Sequence, residues 1–387
     1  MKNYLLAAII FTTSVVYSQT GTTISGSFMS GGVTRTYTYY VPAKYYTANR
    51  AVPMIFNIHG WTGSSAKQEN YADFREIADT ANFIIVHPQA LPSGGYNSWN
   101  TTETFGPTAA DKVYLMSLYD TILSNYNIDR KRIYSTGFSQ GGFMSYDFAC
   151  FYSTRFAAIA SVSAGISTTH RAICNPQHPM PVMEIHGTAD QLATYTGSSG
   201  SLSVDSVIKY WVNFNGCNPA FHYDTLPNIN TTDSSHVEHY VYTGGGQGST
   251  VELYKVINGG HQWPSDTATA IIYGIGNRNM DFRASKEIWR FFSKYQLATI
   301  DGIDEYATNS NDVLIYPNPS NGVFQVDVKN NQNVIIKIVN VLGETVLEKK
   351  ISDAFGNIDL SNAAAGVYFY QAGNNTGIIK SGKLIVE

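Results

Sequence analysis

A serine lies between two glycines in Gly137-Phe138-Ser139-Gln140-Gly141, with an apolar, strand-like run before it and a helix-like run after it. A serine hydroxyl is a poor nucleophile unless a base takes its proton, so the pattern has meaning only if a base and an acid follow. Both do. Asp190 ends the run from Val182 through His186-Gly187-Thr188-Ala189, and His261 sits in Gly259-Gly260-His261-Gln262-Trp263-Pro264 just past another strand-like run. A serine, an imidazole and a carboxylate are the set that acyl transfer needs, the carboxylate orienting the imidazole and the imidazole activating the serine. Asp205 and Asp224 compete with Asp190, but Asp205 begins a helical pattern and Asp224 has no strand-like run before it. His87 precedes the serine, and His222 follows Asp190 too soon for another strand to intervene.

The glycines around Ser139 imply a sharp strand-to-helix turn that leaves no room for side chains. At such a turn the amide of Gln140 opens the helix and faces the charge that develops on an attacked carbonyl. A second amide is expected from His59-Gly60-Trp61-Thr62-Gly63, most directly that of Trp61, after an early buried strand. His59 is expected to be structural. Trp61, Tyr96, Trp99, Tyr195 and Trp263 gather around these motifs in the sequence; Trp263, Trp99 and Tyr195 are the expected lining of a substrate pocket.

The elements that must position these residues follow from periodicity. Thr22–Ser30 and Thr34–Val41 are two strands joined at Gly31-Gly32. Short apolar strands over Pro53–Ile58, Phe83–Val86, Arg132–Thr136, Phe156–Val162, Val182–His186, His239–Tyr242 and Thr250–Val256 alternate with helical patterns over Tyr71–Ala81, Asp111–Asn125, Gly142–Ala149, Leu202–Phe214 and Arg283–Phe292. That alternation predicts an α/β fold with a mostly parallel sheet covered by helices on both faces. The order Ser, Asp, His is that of the α/β-hydrolases. Beyond residue 312 only short alternating runs remain, split by Asn, Gly and Pro, and a small all-β sandwich is expected.

Composition bounds the alternatives. The 387 residues are 43% hydrophobic and 14% charged with a formal net charge of −4, so a packed protein is expected, and the absence of a basic, aromatic-interleaved run excludes nucleic acid as the expected partner. Residues 1–18 have a short basic start, an apolar run and Ser18, the pattern of a signal peptide, and no later run is long enough for a stable membrane span. Three cysteines are present. Sequence does not fix their pairing; Cys150–Cys174 is the first candidate because both fall near the elbow helix and the strand after it, which leaves Cys217. No spacing suggests a metal site: His236 and His239 lie on opposite faces of a strand. The expected division is 1–18 signal peptide, 19–299 catalytic domain, 300–312 linker and 313–387 tail domain.

As a set, Ile58-His59-Gly60, Tyr126 to Arg130, Arg132-Ile133-Tyr134, Gly137 to Gly142, Ile185 to Asp190 and Gly260 to Pro264 resemble the extracellular polyhydroxybutyrate depolymerases and the feruloyl or acetylxylan esterases of carbohydrate esterase family 1. The likeness runs from about Gly26 to Tyr295. It implies a Ser139–His261–Asp190 triad, an oxyanion hole of the Trp61 and Gln140 amides, no metal or organic cofactor, and an ester substrate on a polysaccharide or polyester. Feruloyl or acetyl esters of plant polysaccharide are expected; the alternatives are a polyester depolymerase and a non-catalytic glycan-binding protein on the same fold. The tail, with Tyr316-Pro317-Asn318-Pro319, Val341-Leu342-Gly343, Gly366-Val367-Tyr368 and Lys383-Leu384-Ile385, resembles the C-terminal sorting domain of type IX secretion cargo. That resemblance implies contact with the type IX machinery and a secreted or surface-attached product.

Overall fold

The computed structural model describes residues 21–298, apart from 49, 102–109 and 266–274, and residues 313–386, apart from 317, 319, 329–332, 354 and 375–376. The expected signal peptide and linker lie outside the described residues. The chain divides into two compact units, Met1–Ala298 and Thr299–Glu387.

The first unit opens with β1 (Thr22–Ser30) and β2 (Val33–Val41), an antiparallel hairpin. Gly31 and Gly32 turn it with φ of 60° and 75°, a left-handed pair that side chains disfavour. Then come β3 (Val52–Ile58), helices α1 (Ser65–Tyr71) and α2 (Arg75–Ala81), β4 (Ile84–Pro88) and a two-residue ribbon of β5 (Pro92–Ser93) and β6 (Tyr96–Asn97). The sequence predicts one helix over Tyr71–Ala81; the chain instead breaks after Tyr71. The Asp73 carboxylate accepts the Arg75 amide at 2.9 Å, which starts a fresh helix there. Next are α3 (Ala110–Asn125), β7 (Ile128–Phe138), α4 (Gln140–Phe151), β8 (Ala158–Val162), α5 (Thr168–Ile173), β9 (Val182–Gly187), α6 (Val204–Asn215), β10 (Phe221–Thr225), β11 (His236–Tyr242), β12 (Val251–Ile257) and α7 (Ala284–Phe292). Asp224 therefore lies within a strand, the exposed β10, against expectation.

Ten of these twelve strands form one sheet in the order β1-β2-β4-β3-β7-β8-β9-β12-β11-β10. From β4 to β12 the neighbours run parallel, and antiparallel strands close both edges. β3, β4, β8 and β9 are buried along their whole length, as strands covered on both faces must be. Their alternating side chains feed separate cores. Ile55 and Ile85 pack with Phe74, Phe291 and Phe292, whereas Met54, Phe56, Ile84 and Val86 pack with Leu115, Leu118 and Phe148. A third core joins α4 and α6 through Tyr146, Val207 and Trp211. A Cys150–Cys174 disulfide ties the last turn of α4 to the residue after α5; Cys217 is free and buried.

The second unit is all β. A three-stranded sheet and a four-stranded sheet share one core, built from Phe324, Val326 and Ile358 on one side and Ile336, Ile338 and Leu384 on the other.

Candidate active site

Every residue expected to do chemistry leaves the carboxyl end of a parallel strand, where open α/β sheets place their sites. The loop of Trp61 follows β3, Ser139 follows β7, Asp190 follows β9 and His261 follows β12. β3 and β7 are neighbours in the sheet, as are β9 and β12, with only β8 between the pairs.

Ser139 stands at φ 53° and ψ −118°, a conformation that costs free energy and persists only where the surroundings impose it. Three features impose it. The Ser139 amide donates to the Val162 carbonyl at 2.9 Å. A Cβ at Gly137 would lie 2.4 Å from the Gly141 carbonyl carbon, and one at Gly141 would lie 1.9 Å from the Ile58 carbonyl oxygen. The turn is therefore as tight as the sequence pattern implies, and β3 presses directly on it. The loop after β3 lies against Ser139 too: the Cβ position of Gly60 is 3.2 Å from Ser139 Cβ.

Asp190 and His261, 71 residues apart, are brought together: His261 Nδ1 lies 2.7 Å from Asp190 Oδ2. Asp190 Oδ1 accepts the amides of Leu192 and Ala193 at 2.8 and 2.9 Å, which fixes the carboxylate. Burial pushes the Asp190 carboxyl up, but the hydrogen bond and charge of His261, the charge of His186 and the Leu192 amide outweigh it and leave it below the usual range. The His261 ring packs on that of Phe138, the residue before the serine, with centroids 4.8 Å apart. Paired backbone bonds hold His261 to Ile275, at 2.7 and 3.2 Å. The Tyr71 hydroxyl donates to Gln262 Oε1 at 3.0 Å and accepts the Trp263 amide at 2.9 Å, so α1 anchors the histidine loop.

The 59–63 loop is pinned by residues whose part sequence reasoning missed. Thr62 donates its amide to the Asn97 carbonyl at 2.8 Å, Gly63 to that of Gly60 at 3.0 Å, and Asn97 Nδ2 donates to the Gly63 carbonyl at 2.6 Å. Among the described residues the Trp61 amide hydrogen-bonds to nothing. His59 is buried; Ala90 donates to its Nε2 at 3.1 Å, so Nδ1 carries the ring proton and donates to the Gly60 carbonyl at 2.7 Å. Burial lowers His59 to about 4, which keeps it neutral, and both its ring nitrogens are taken up by backbone groups of the loops it joins. The Gln140 side chain accepts the Trp99 amide at 3.0 Å and so fastens the helix start to this wall.

The aromatic expectations need correction. Trp99 and Trp263 are fully buried. Trp99 donates its indole N–H to the His59 carbonyl at 2.8 Å and stacks on Tyr114, supporting the loop from behind. Trp263 packs edge-on to Phe74 in the core. Tyr195 is 7% exposed and donates its hydroxyl to Asp205 at 2.6 Å. All three supply apolar area under the site, which the polar loops above need for anchorage. The exposed rings are those of Trp61 (52%) and Tyr96 (54%), whose centroids are 5.3 Å apart.

Residues 30–265 match the family model described as putative esterase. The chain belongs to that esterase family. The esterase unit is 25% identical over 271 residues to a bifunctional acetylxylan esterase/xylanase of Neocallimastix patriciarum, covering 70% of this chain and 35% of that one. It is 27% identical over 230 residues to feruloyl esterase B of Piromyces equi, covering 56% and 40%. It is 25% identical over 247 residues to poly(3-hydroxyalkanoate) depolymerase C of Paucimonas lemoignei, covering 56% of each. The chain thus spans about a third to somewhat over half of these relatives' length. Residues 314–387 match the secretion system C-terminal sorting domain, which marks the esterase for secretion or cell-surface attachment. Among the described residues no helix is long and apolar enough to cross a membrane.

Proposed function

We propose that the chain is an exported serine hydrolase that cleaves carboxylic esters through an acyl-enzyme. Ser139 Oγ attacks the ester carbonyl while His261 Nε2 takes its proton; Asp190 holds Nδ1–H and stabilises the imidazolium. The amides of Trp61 and Gln140 receive the oxyanion. Collapse passes the proton to the leaving alkoxide, and water then repeats the sequence to release the acid and restore the serine. The observation that carries this reading is the 2.7 Å Asp190–His261 bond packed against a serine elbow at φ 53°.

The substrates are acetyl or feruloyl esters of plant polysaccharide, a choice supported by the two esterase relatives and by the exposed Trp61–Tyr96 pair beside the nucleophile's loop. Flat rings of this kind suit a sugar face or a phenolic ring. Export runs through a signal peptide over 1–18, then type IX secretion through the tail, with the linker over 300–312. A rate panel on acetylated xylan, feruloylated arabinoxylan and polyhydroxybutyrate film tests the reading. Faster release from either plant ester supports it; faster release from the film moves the chain to the polyester depolymerases, and no turnover of any ester ends the hydrolase reading.

A further inference from the structure

Behind Asp190 the structure buries a second carboxylate–imidazole pair that ester cleavage does not require. Glu184 and His186 are two apart on β9, so both leave the same face of the strand. His186 Nδ1 lies 2.8 Å from Glu184 Oε1, and its Nε2 lies 2.6 Å from the Ala193 carbonyl oxygen and 3.5 Å from Asp190 Oδ2. Tyr146, from α4, donates its hydroxyl to Glu184 Oε2 at 2.8 Å. Glu184 and Tyr146 are fully buried, and His186 and Asp190 are 2% and 4% exposed. Ala193 is clamped from both sides, its amide on Asp190 and its carbonyl on His186.

These partners bear on the proton count. A carbonyl only accepts, so Nε2 carries a proton toward Ala193. Glu184 receives the Tyr146 hydroxyl on one oxygen and faces Nδ1 with the other, the arrangement of a carboxylate between two donors. Burial raises Glu184 above the ordinary carboxyl value against the lowering by His186, Ser161 and Tyr146, so the shared proton lies either on Glu184 or on Nδ1; with the Tyr146 hydroxyl already donated to the second oxygen, placing it on Nδ1 makes the ring cationic. Burial opposes that charge; the hydrogen bond and charge of Glu184, with the charge of Asp190 and the Ala193 carbonyl, outweigh it and raise His186 above the ordinary imidazole value. The other facing groups do not supply a closer counter-charge. Tyr195 meets the His186 ring edge-on at 5.9 Å and keeps its hydroxyl on Asp205, while Lys255 sits 5.4 Å over the Tyr195 ring and pairs with Glu238 at 3.8 Å.

We propose that His186 is a positioning residue of the triad: a standing imidazolium between Glu184 and Asp190 that fixes the 190–193 turn and offsets the field Asp190 exerts on His261. The kinetic half of this rests on the triad reading above; the protonation half does not. With the cation removed, the Asp190 carboxylate acts unopposed on the site, and the acid limb of the rate profile moves to higher pH.

The test uses the full chain, His186→Gln, Glu184→Gln and nitrogen-labelled histidine. Wild-type His186 should show two protonated ring nitrogens at neutral pH by NMR. The acid limb of kcat/KM on p-nitrophenyl acetate should move up by about half to one pH unit in both variants, Glu184→Gln acting because His186 then goes neutral. A merely structural role would lower kcat or stability and leave the limb in place. An unprotonated ring nitrogen on wild-type His186, or two folded variants with the wild-type limb, overturns the proposal. Should the variants not fold, the wild-type spectrum decides alone; should the chain hydrolyse no ester, the spectrum still decides the imidazolium and the hydrolase reading fails separately.

Discussion

Gly141→Ala is the smallest change that separates a built elbow from an ordinary loop. A Cβ there would lie 1.9 Å from the Ile58 carbonyl oxygen, 2.6 Å from its carbon and 3.0 Å from the His59 oxygen. All three atoms are backbone, so no side chain can swing aside. Restoring van der Waals contact demands at least about 1 Å of separation between β3 and the elbow. That displacement falls between Ser139 and the 59–63 loop, the two parts that the proposed acyl transfer brings to the same carbonyl. A shift of that size costs about 10²-fold in rate, and overpacking of this kind costs about 1–3 kcal/mol in stability. The assay is kcat/KM on p-nitrophenyl acetate beside thermal unfolding followed by circular dichroism. Gly165→Ala is the control, because its Cβ would meet only Val207 Cγ2 at 3.7 Å, an ordinary contact. A Gly141→Ala protein with wild-type rate and melting temperature would refute the close packing of β3 on the elbow.

Asp190→Asn should lower kcat by about 10³–10⁴-fold while leaving the melting temperature near wild type, since the amide keeps an oxygen for Leu192 and Ala193 but no longer selects the His261 tautomer; an active Asp190→Asn would remove Asp190 from the triad. Replacing Cys150 and Cys174 by serine should cost about 3 kcal/mol in urea unfolding, the value for a loop of 24-residue separation; an unchanged unfolding free energy would show that the bridge constrains nothing. Stability should also fall on acidification. Burial holds His59 at about 4 and His87 at about 3, against 6.5 unperturbed, so from pH 6.5 down to about 4 the unfolded chain binds protons that the folded chain does not. Each histidine then removes up to about 1.4 kcal/mol per pH unit as pH falls. His59→Asn should flatten part of that slope in denaturant titrations, and a slope that His59→Asn leaves untouched would contradict a neutral buried His59.

The convergence of Ser139, Asp190 and His261 on one end of the sheet was more legible than the placement of the aromatic residues, for a physical reason. A nucleophile elbow writes its glycines into the sequence because backbone contacts such as Gly141 on Ile58 admit no side chain. Buried parallel strands write themselves as short apolar runs, and Asp190 and His261 follow two of them. The aromatic residues carry no such mark: a tryptophan two residues from His261 in sequence can face solvent or core, and Trp263 faces the core. What decides it is long-range, here Tyr71 holding Gln262 and Trp263 from 191 and 192 residues away. The break between α1 and α2 escaped for a local reason, the competition of the Asp73 side chain for the Arg75 amide. The edge strand β10 escaped because all five of its residues are exposed, leaving no apolar alternation to read. His59, Asn97 and Trp99, which hold the 59–63 loop, matter through backbone carbonyls that no pattern of residue types reveals.

The most direct measurement is the location of the acyl group during turnover. Protein mixed with p-nitrophenyl acetate, quenched in acid and digested should yield the peptide containing Ser139 carrying one acetyl group, and Ser139→Ala should yield neither the adduct nor turnover. Ester hydrolysis that persists in Ser139→Ala, or an acetyl group trapped on another residue, would contradict the account.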